Sequence, residues 1–230
     1  MKKVAIGTPS LDGKIDVWYV SSLSETLRKS TEEGVNLFPL FVSYESILPM
    51  ARNKLMRMAY ESGIDSLIFI DADMGWDTKT FYDVVNSEHD VIGVPYRCKS
   101  DNRIDYNVNF GLDDTIDKNG YLKVMTVGTG FLKLSKKAIR DLWNSSDSVL
   151  FRDESMKCVF EYTLQDGNIM KFRGEDISLC EKLSELGYNI HLKTNSTCVH
   201  IGNKDFQGNF LQDYPQLLSD HKRYLSSLGG

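Results

Sequence analysis

The segment SLIFIDADMGWD, residues 66 to 77, carries an apolar run into two aspartates one residue apart, Asp71 and Asp73. Side chains at i and i+2 of an extended chain share a face, so this spacing sets two carboxylates side by side where a strand would end. One reading is a solvated acidic turn. The other is an oxygen-rich donor pair of the kind Mg²⁺ and Mn²⁺ prefer, ions that also accept phosphate oxygens. Further candidates lie downstream. Gly174-Glu175-Asp176 puts two carboxylates at the start of an amphipathic helix. That is a place for a general base, and also where acids stabilise a helix start for dipole reasons alone. His200 follows an extended segment in TCVHIG, and Gly128 and Gly130 flank Thr129 in VGTGF. The two glycines mark a bend or a place where a ligand nears the backbone. Arg52 and Asn53, in PMARNKL, are either the solvated face of a helix or groups that approach a ligand; Arg97 and Lys204 are basic residues that could meet a phosphate.

These residues need elements to position them. KVAIGTP reads as a first strand ending at Thr8 and Pro9, residues 22–33 as a helix with Gly34 at its C-terminus, and VNLFPLFV as a second strand. A helix follows with Pro49 in its first turn, Leu48, Leu55, Met58 and Ala59 on its apolar face and Gly63 at its end. SLIFIDAD is a short covered strand, DTKTFYDVVNS a helix capped by Asp77, and DVIGVPY the next strand. This alternation predicts a mostly parallel central sheet with helices on both faces. In such sheets ligands bind at the carboxyl ends of strands, where Asp71 would lie. Strands in YNVNFGLDD and YLKVMTVGTGFLKLS, a helix in KKAIRDLWNS and short strands in KCVFEYTL and IMKF, split by QDGN, suggest a small antiparallel extension. EDISLCEKLSELG is a helix, YNIHLKT and TCVHIG are extended, and residues 204–230 form a tail with a last helix.

As a set, DAD, GTGF, GED and VHIG, in this order after this strand–helix pattern, resemble the GT-A glycosyltransferases, with DAD similar to their DxD motif. The likeness spans residues 3 to 203. It implies one GT-A-like domain over 1–203, with a nucleotide-binding half at 1–97 and an acceptor-side half at 98–203. It further implies a nucleoside-diphosphate sugar donor, a UDP-sugar above others, and a Mn²⁺ or Mg²⁺ ion. Asp73 and His200 would ligate the ion, with Asp71 beside it on the ribose or uracil side. Thr8 and Pro9 would stand next to the nucleoside, Arg52 and Asn53 would approach the nucleotide, and Gly128 to Phe131 would line the sugar. Asp176 would be the base of an inverting transfer, with Glu175 as the close alternative. The chain departs from the commonest inverting families in lacking an Arg-Trp pair after its GED motif.

At 230 residues, 41% of them hydrophobic, the chain can bury a sizeable core. Its net charge of −5 argues against a surface built for nucleic acid, so any such contact would be local. A local basic group around Arg97, Lys99, Arg103, Lys157, Lys171 and Arg173 would suit a modified DNA base as acceptor; the other acceptors weighed are a glycan and a protein. Four cysteines without metal-binding spacing, no apolar run of membrane-spanning length and no signal-peptide core lead to the expectation of a cytoplasmic chain. No GxGxxG follows the first strand, which excludes the usual dinucleotide fingerprint. A nucleotidyltransferase acting on sugar phosphates and a non-catalytic sugar-binding module are the rival readings.

Overall fold

The computed structural model describes residues 1–111, 115–165 and 171–228. Its first half runs β1 (Lys2–Ser10), α1 (Val17–Lys29), β2 (Val35–Ser43), α2 (Leu48–Ser62), β3 (Ser66–Ile70), β4 (Met74–Trp76), α3 (Thr78–Asn86) and β5 (Val91–Gly93). Then come β6 (Val108–Phe110), β7 (Tyr121–Val127), β8 (Phe131–Ser135) and α4 (Lys136–Ser145). The hairpins β9 (Ser148–Phe151)–β10 (Glu154–Lys157) and β11 (Thr163–Gln165)–β12 (Lys171–Arg173) precede α5 (Glu175–Glu185). The chain ends with β13 (Ile190–Lys193), β14 (Cys198–Ile201), β15 (Asp205–Gln207) and α6 (Phe210–Leu228). The turn expected over 165–168 and the strand expected over 169–172 fall largely on 166–170, outside the described residues.

Eight strands form the main sheet in the order β2-β1-β3-β8-β5-β13-β7-β6. β1 pairs in parallel with β2 and β3, and β5 with β13. The sheet is more mixed than the strand–helix alternation implies, because β8 enters between β3 and β5 antiparallel to both. YLKVMTVGTGFLKLS is thus two strands, β7 and β8, broken at Gly128–Gly130. Pro39 is tolerated in β2 because that strand lies at the sheet edge, where one side of its backbone needs no ladder partner.

Side-chain alternation along the strands builds two cores, one on each sheet face. Ala5, Leu67 and Phe69 pack with Leu55 and Met56 of α2, Ile139 of α4, Leu179 of α5 and Phe210 of α6. Val4, Ile6, Ile68 and Ile70 pack with Tyr19 of α1 and Phe81 of α3. The apolar face of α2 is rotated from the expected one: Met58 is exposed, while Met50, Ala51, Leu55, Met56 and Ala59 are buried. Arg52 and Asn53 are therefore on the buried side and not on a solvated face. Pro49 and Gly63 bracket the helix as expected, Gly63 at φ +61°. α1 starts earlier than its apolar pattern suggests, because the Asp16 carboxylate accepts from the Trp18 N–H; Ser30 ends it, and Gly34, at φ +67°, belongs to the turn beyond.

A separate antiparallel sheet, β15-β14-β4, stands beside the end of β3 and sets His200 opposite Met74. The tail is part of the fold: β15 pairs with β14, and Phe210 and Tyr214 of α6 are buried against Tyr106 and Phe110, with ring centroids 5.2 and 5.7 Å apart. No described helix is long and apolar enough to cross a membrane, and the four cysteines are free.

Candidate active site

β3 ends at Ile70, so Asp71 and Asp73 lie in the turn between β3 and β4. They do not converge on one point as an ideal strand would make them; they take different partners. Asp71 keeps the parity of Leu67 and Phe69, which face α2, and there it meets Arg52. The guanidinium Nη2 donates to both Asp71 oxygens at 2.9 and 3.2 Å, and Nη1 donates to Glu175 Oε1. Arg52 is 2% exposed. Burial pushes its guanidinium down, but Asp71 and Glu175 outweigh that and hold it firmly charged. One buried cation thus ties the DAD turn to the GED turn, which lie far apart in the chain.

Asp73 faces the other way. Its Oδ2 accepts from Lys99 Nζ at 2.5 Å and lies 3.7 Å from His200 Nε2. The Ile201 N–H donates to the Asp73 carbonyl at 2.8 Å, so the backbone fixes β14 beside the turn. His200 Nδ1 donates to the Arg97 carbonyl at 2.8 Å, which settles the ring's orientation and turns Nε2 toward Asp73. Burial raises the Asp73 carboxyl, but its interactions with His200 and Lys99 outweigh this and hold it at about 2. Asp73 is therefore a carboxylate at any physiological pH. A carboxylate and an imidazole so arranged fit a divalent cation. Among the described residues no three His, Cys, Asp or Glu side chains group to hold an ion by themselves. The remaining donors would then be phosphate and water oxygens, as Mg²⁺ and Mn²⁺ commonly use.

Tyr96, which carries no signal in the sequence, is packed between Gly130 and His200. Its hydroxyl accepts from the Gly130 N–H at 3.1 Å, and its ring lies edge-on to His200 with centroids 5.0 Å apart. Burial pushes its phenol far up, and the Asp71 charge adds to the effect. The two glycines exist for this residue. A Cβ at Gly128 or Gly130 would come within 2.5 Å of the Tyr96 hydroxyl, and at Gly130 within 3.0 Å of Asp71 Oδ2. Gly174 acts similarly: its φ of −65° suits any residue, but a Cβ there would sit 2.8 Å from Asp176 Oδ1.

The two acids of GED are not equivalent. Glu175 is buried and bound to Arg52. Asp176 accepts only its neighbour's backbone N–H, from Ile177 at 2.8 Å, and forms no salt bridge among the described residues. Burial raises the phenols of Tyr96 and Tyr162, and the nearby Asp176 adds to both. A carboxyl group with no ion-pair partner among the described residues can take a proton from a group that comes within hydrogen-bond reach.

Beside the DAD turn lies a groove of ≈ 590 Å³ lined by Pro9, Ser10, Asp16, Glu45, Asp71 and Asp73, among others. Pro9 reaches it. Thr8 does not, since it is fully buried with its hydroxyl on Tyr19 at 2.5 Å. Asn53 is also turned away: its amide donates to the Phe160 carbonyl at 2.9 Å and accepts from the Phe160 N–H at 2.8 Å. Lys204 pairs with Asp101. Of the basic residues named above, Arg103 pairs with Asp105, Arg173 with Glu181 and Lys99 with Asp73, while Lys157 and Arg97 donate to backbone carbonyls.

No family model and no curated protein matches this chain. Among solved structures, the crystal structure of A197 from STIV is similar over 88% of this chain and 86% of that one, at 14% identity and a TM-score of 0.55. That likeness is one of fold. A glycosyltransferase involved in the glycosylation of the major capsid of PBCV-1 aligns over 61% of this chain and 63% of that one, at 12% identity and a TM-score of 0.34, too loose to carry an argument.

Proposed function

We propose that this chain is a metal-dependent glycosyltransferase that moves a sugar from a nucleoside-diphosphate sugar to an acceptor hydroxyl with inversion. The observation that carries the reading is the division of labour in the DAD turn. Asp71 is locked to the buried Arg52–Glu175 pair, while Asp73, which lines the groove, lies 3.7 Å from an oriented His200. In this reading the nucleoside lies in the groove against Pro9, and Asp71 meets the ribose or base side. Asp73 and His200 hold the divalent ion, which when bound supplies Lewis-acid stabilisation of the departing diphosphate. Asp176 takes the proton of the acceptor hydroxyl as it attacks the anomeric carbon. Glu175 and Arg52 hold the turn on which Asp176 stands.

The test is calorimetric titration with UDP-glucose and related nucleotide sugars in Mn²⁺ and again in EDTA. Binding in Mn²⁺ that is lost in EDTA, and lost in Asp73→Asn with the fold intact, is the expected result. Equal affinity in both buffers overturns the reading. Transfer assays with saccharide, protein and hydroxymethylcytosine-containing DNA then separate the acceptors. The net charge of −5 and the acid partners of Lys99, Arg103 and Arg173 favour a saccharide or protein.

A further inference from the structure

We infer that Lys99 is a built-in counter-cation of Asp73 that a divalent ion must displace, so that the ion and the nucleotide diphosphate bind cooperatively. The inference rests on the metal reading above and goes beyond it. Three observations converge. Lys99 Nζ sits 2.5 Å from Asp73 Oδ2, the carboxylate that faces His200. Its stem lies against Gly202, where an added Cβ would stand 3.1 Å from Lys99 Cδ and 3.1 Å from the Phe206 ring, so the lysine packs closely on the turn that follows His200. The loop that bears Lys99 is itself held down, by the Arg97–Tyr106 bridge and by the Cys98 N–H on the Asp105 carbonyl at 2.9 Å. The same loop supplies the Arg97 carbonyl that orients His200. One loop therefore both prepares the imidazole for an ion and covers the carboxylate with a competing charge.

An ammonium and a divalent cation on one carboxylate oxygen repel each other, so the two compete for Asp73 Oδ2. The ion alone must therefore break the Lys99–Asp73 pair with only water to receive the ammonium. When a diphosphate arrives with it, the released ammonium gains a new anionic partner, and the cost is offset. The pair is partly exposed, with side chains 37% and 41% accessible, so the ammonium can swing off without unfolding its loop.

Mn²⁺ binding followed by electron paramagnetic resonance of the free ion, with and without UDP, tests this in wild type, Lys99→Met and Lys99→Gln, with Asp73→Asn as the background. Either neutral variant should bind Mn²⁺ alone about tenfold more tightly than wild type. The gain in Mn²⁺ affinity that UDP brings should shrink by a similar factor. If wild type binds Mn²⁺ with UDP but neither variant tightens binding of the ion alone, Lys99 is not a competitor and the metal reading stands without it. If wild type fails to bind Mn²⁺ even with UDP, the metal reading falls and takes this inference with it.

Discussion

One arginine makes two acids adjacent in sequence unequal. Glu175 is the partner of a buried guanidinium, and Asp176 is not. Asp176→Asn is expected to lower kcat about 100-fold or more, the usual loss when a general base is removed. Donor affinity should change little, because the interaction belongs to the transition state. Glu175→Gln should act through stability, leaving Arg52 with one carboxylate where it had two, at a cost of about 3 kcal/mol. Denaturant titration of both variants beside steady-state kinetics separates the roles. A Glu175→Gln protein of normal stability and lost turnover would reverse the assignment.

At the scale of elements, the site depends on backbone segments pressed together where side chains would intrude. Gly130→Ala would drive a methyl against Tyr96 and Asp71, and overpacking of this kind costs about 1–3 kcal/mol. It should weaken donor binding as well, since Asp71 must move. Asn53→Ala tests a different joint. Its two hydrogen bonds tie α2 to the backbone at Phe160, and their loss in a buried place costs about 2 kcal/mol. Thermal melting should show that loss while calorimetric donor affinity stays near wild type. A drop in affinity without a drop in stability would instead return Asn53 to the nucleotide.

At the scale of the whole molecule, the sheet buries a lysine. Lys133, on the antiparallel strand β8, is 4% exposed and donates to the Ser87 and His89 carbonyls. Burial pushes its ammonium down to about 8. A base with a depressed folded pKa favours the unfolded chain while both states would otherwise be protonated, and that penalty fades as pH rises past the folded value. Between pH 7 and pH 9.5 the wild type should gain about 2 kcal/mol relative to Lys133→Met. Chemical denaturation at several pH values checks it; equal slopes for the two proteins would refute it. Tyr19 and Tyr82, raised by burial to about 12, reverse the trend only above their ordinary range near 10.

Local chemistry made much of this legible in the sequence. The Pro49 and Gly63 boundaries of α2, the Asp77 cap of α3 and the apolar run of β3 each rest on a few neighbouring residues, and the structure has them in place. The motif residues Asp71, Asp73, Glu175, Asp176 and His200 were all visible as chemistry-bearing groups. Their partners were not. Arg52 could be read as a solvated arginine because the buried face of α2 is broader than its apolar pattern, and packing on β1, β2 and α4 decides how far it extends. Tyr96 carried no signal, since a tyrosine after a strand is ordinary until a glycine loop closes over its hydroxyl. The insertion of β8 between β3 and β5 depends on pairings between distant segments, which hydrophobic patterning does not encode. The sequence by itself determined which groups were available and roughly where each element begins and ends, because those depend on local torsions and caps. Only the tertiary structure decided which acid is bound to arginine, which is not and which faces a histidine, because the buried Arg52 meets Glu175, and β14 sets His200 beside Asp73, each from more than a hundred residues away in the chain.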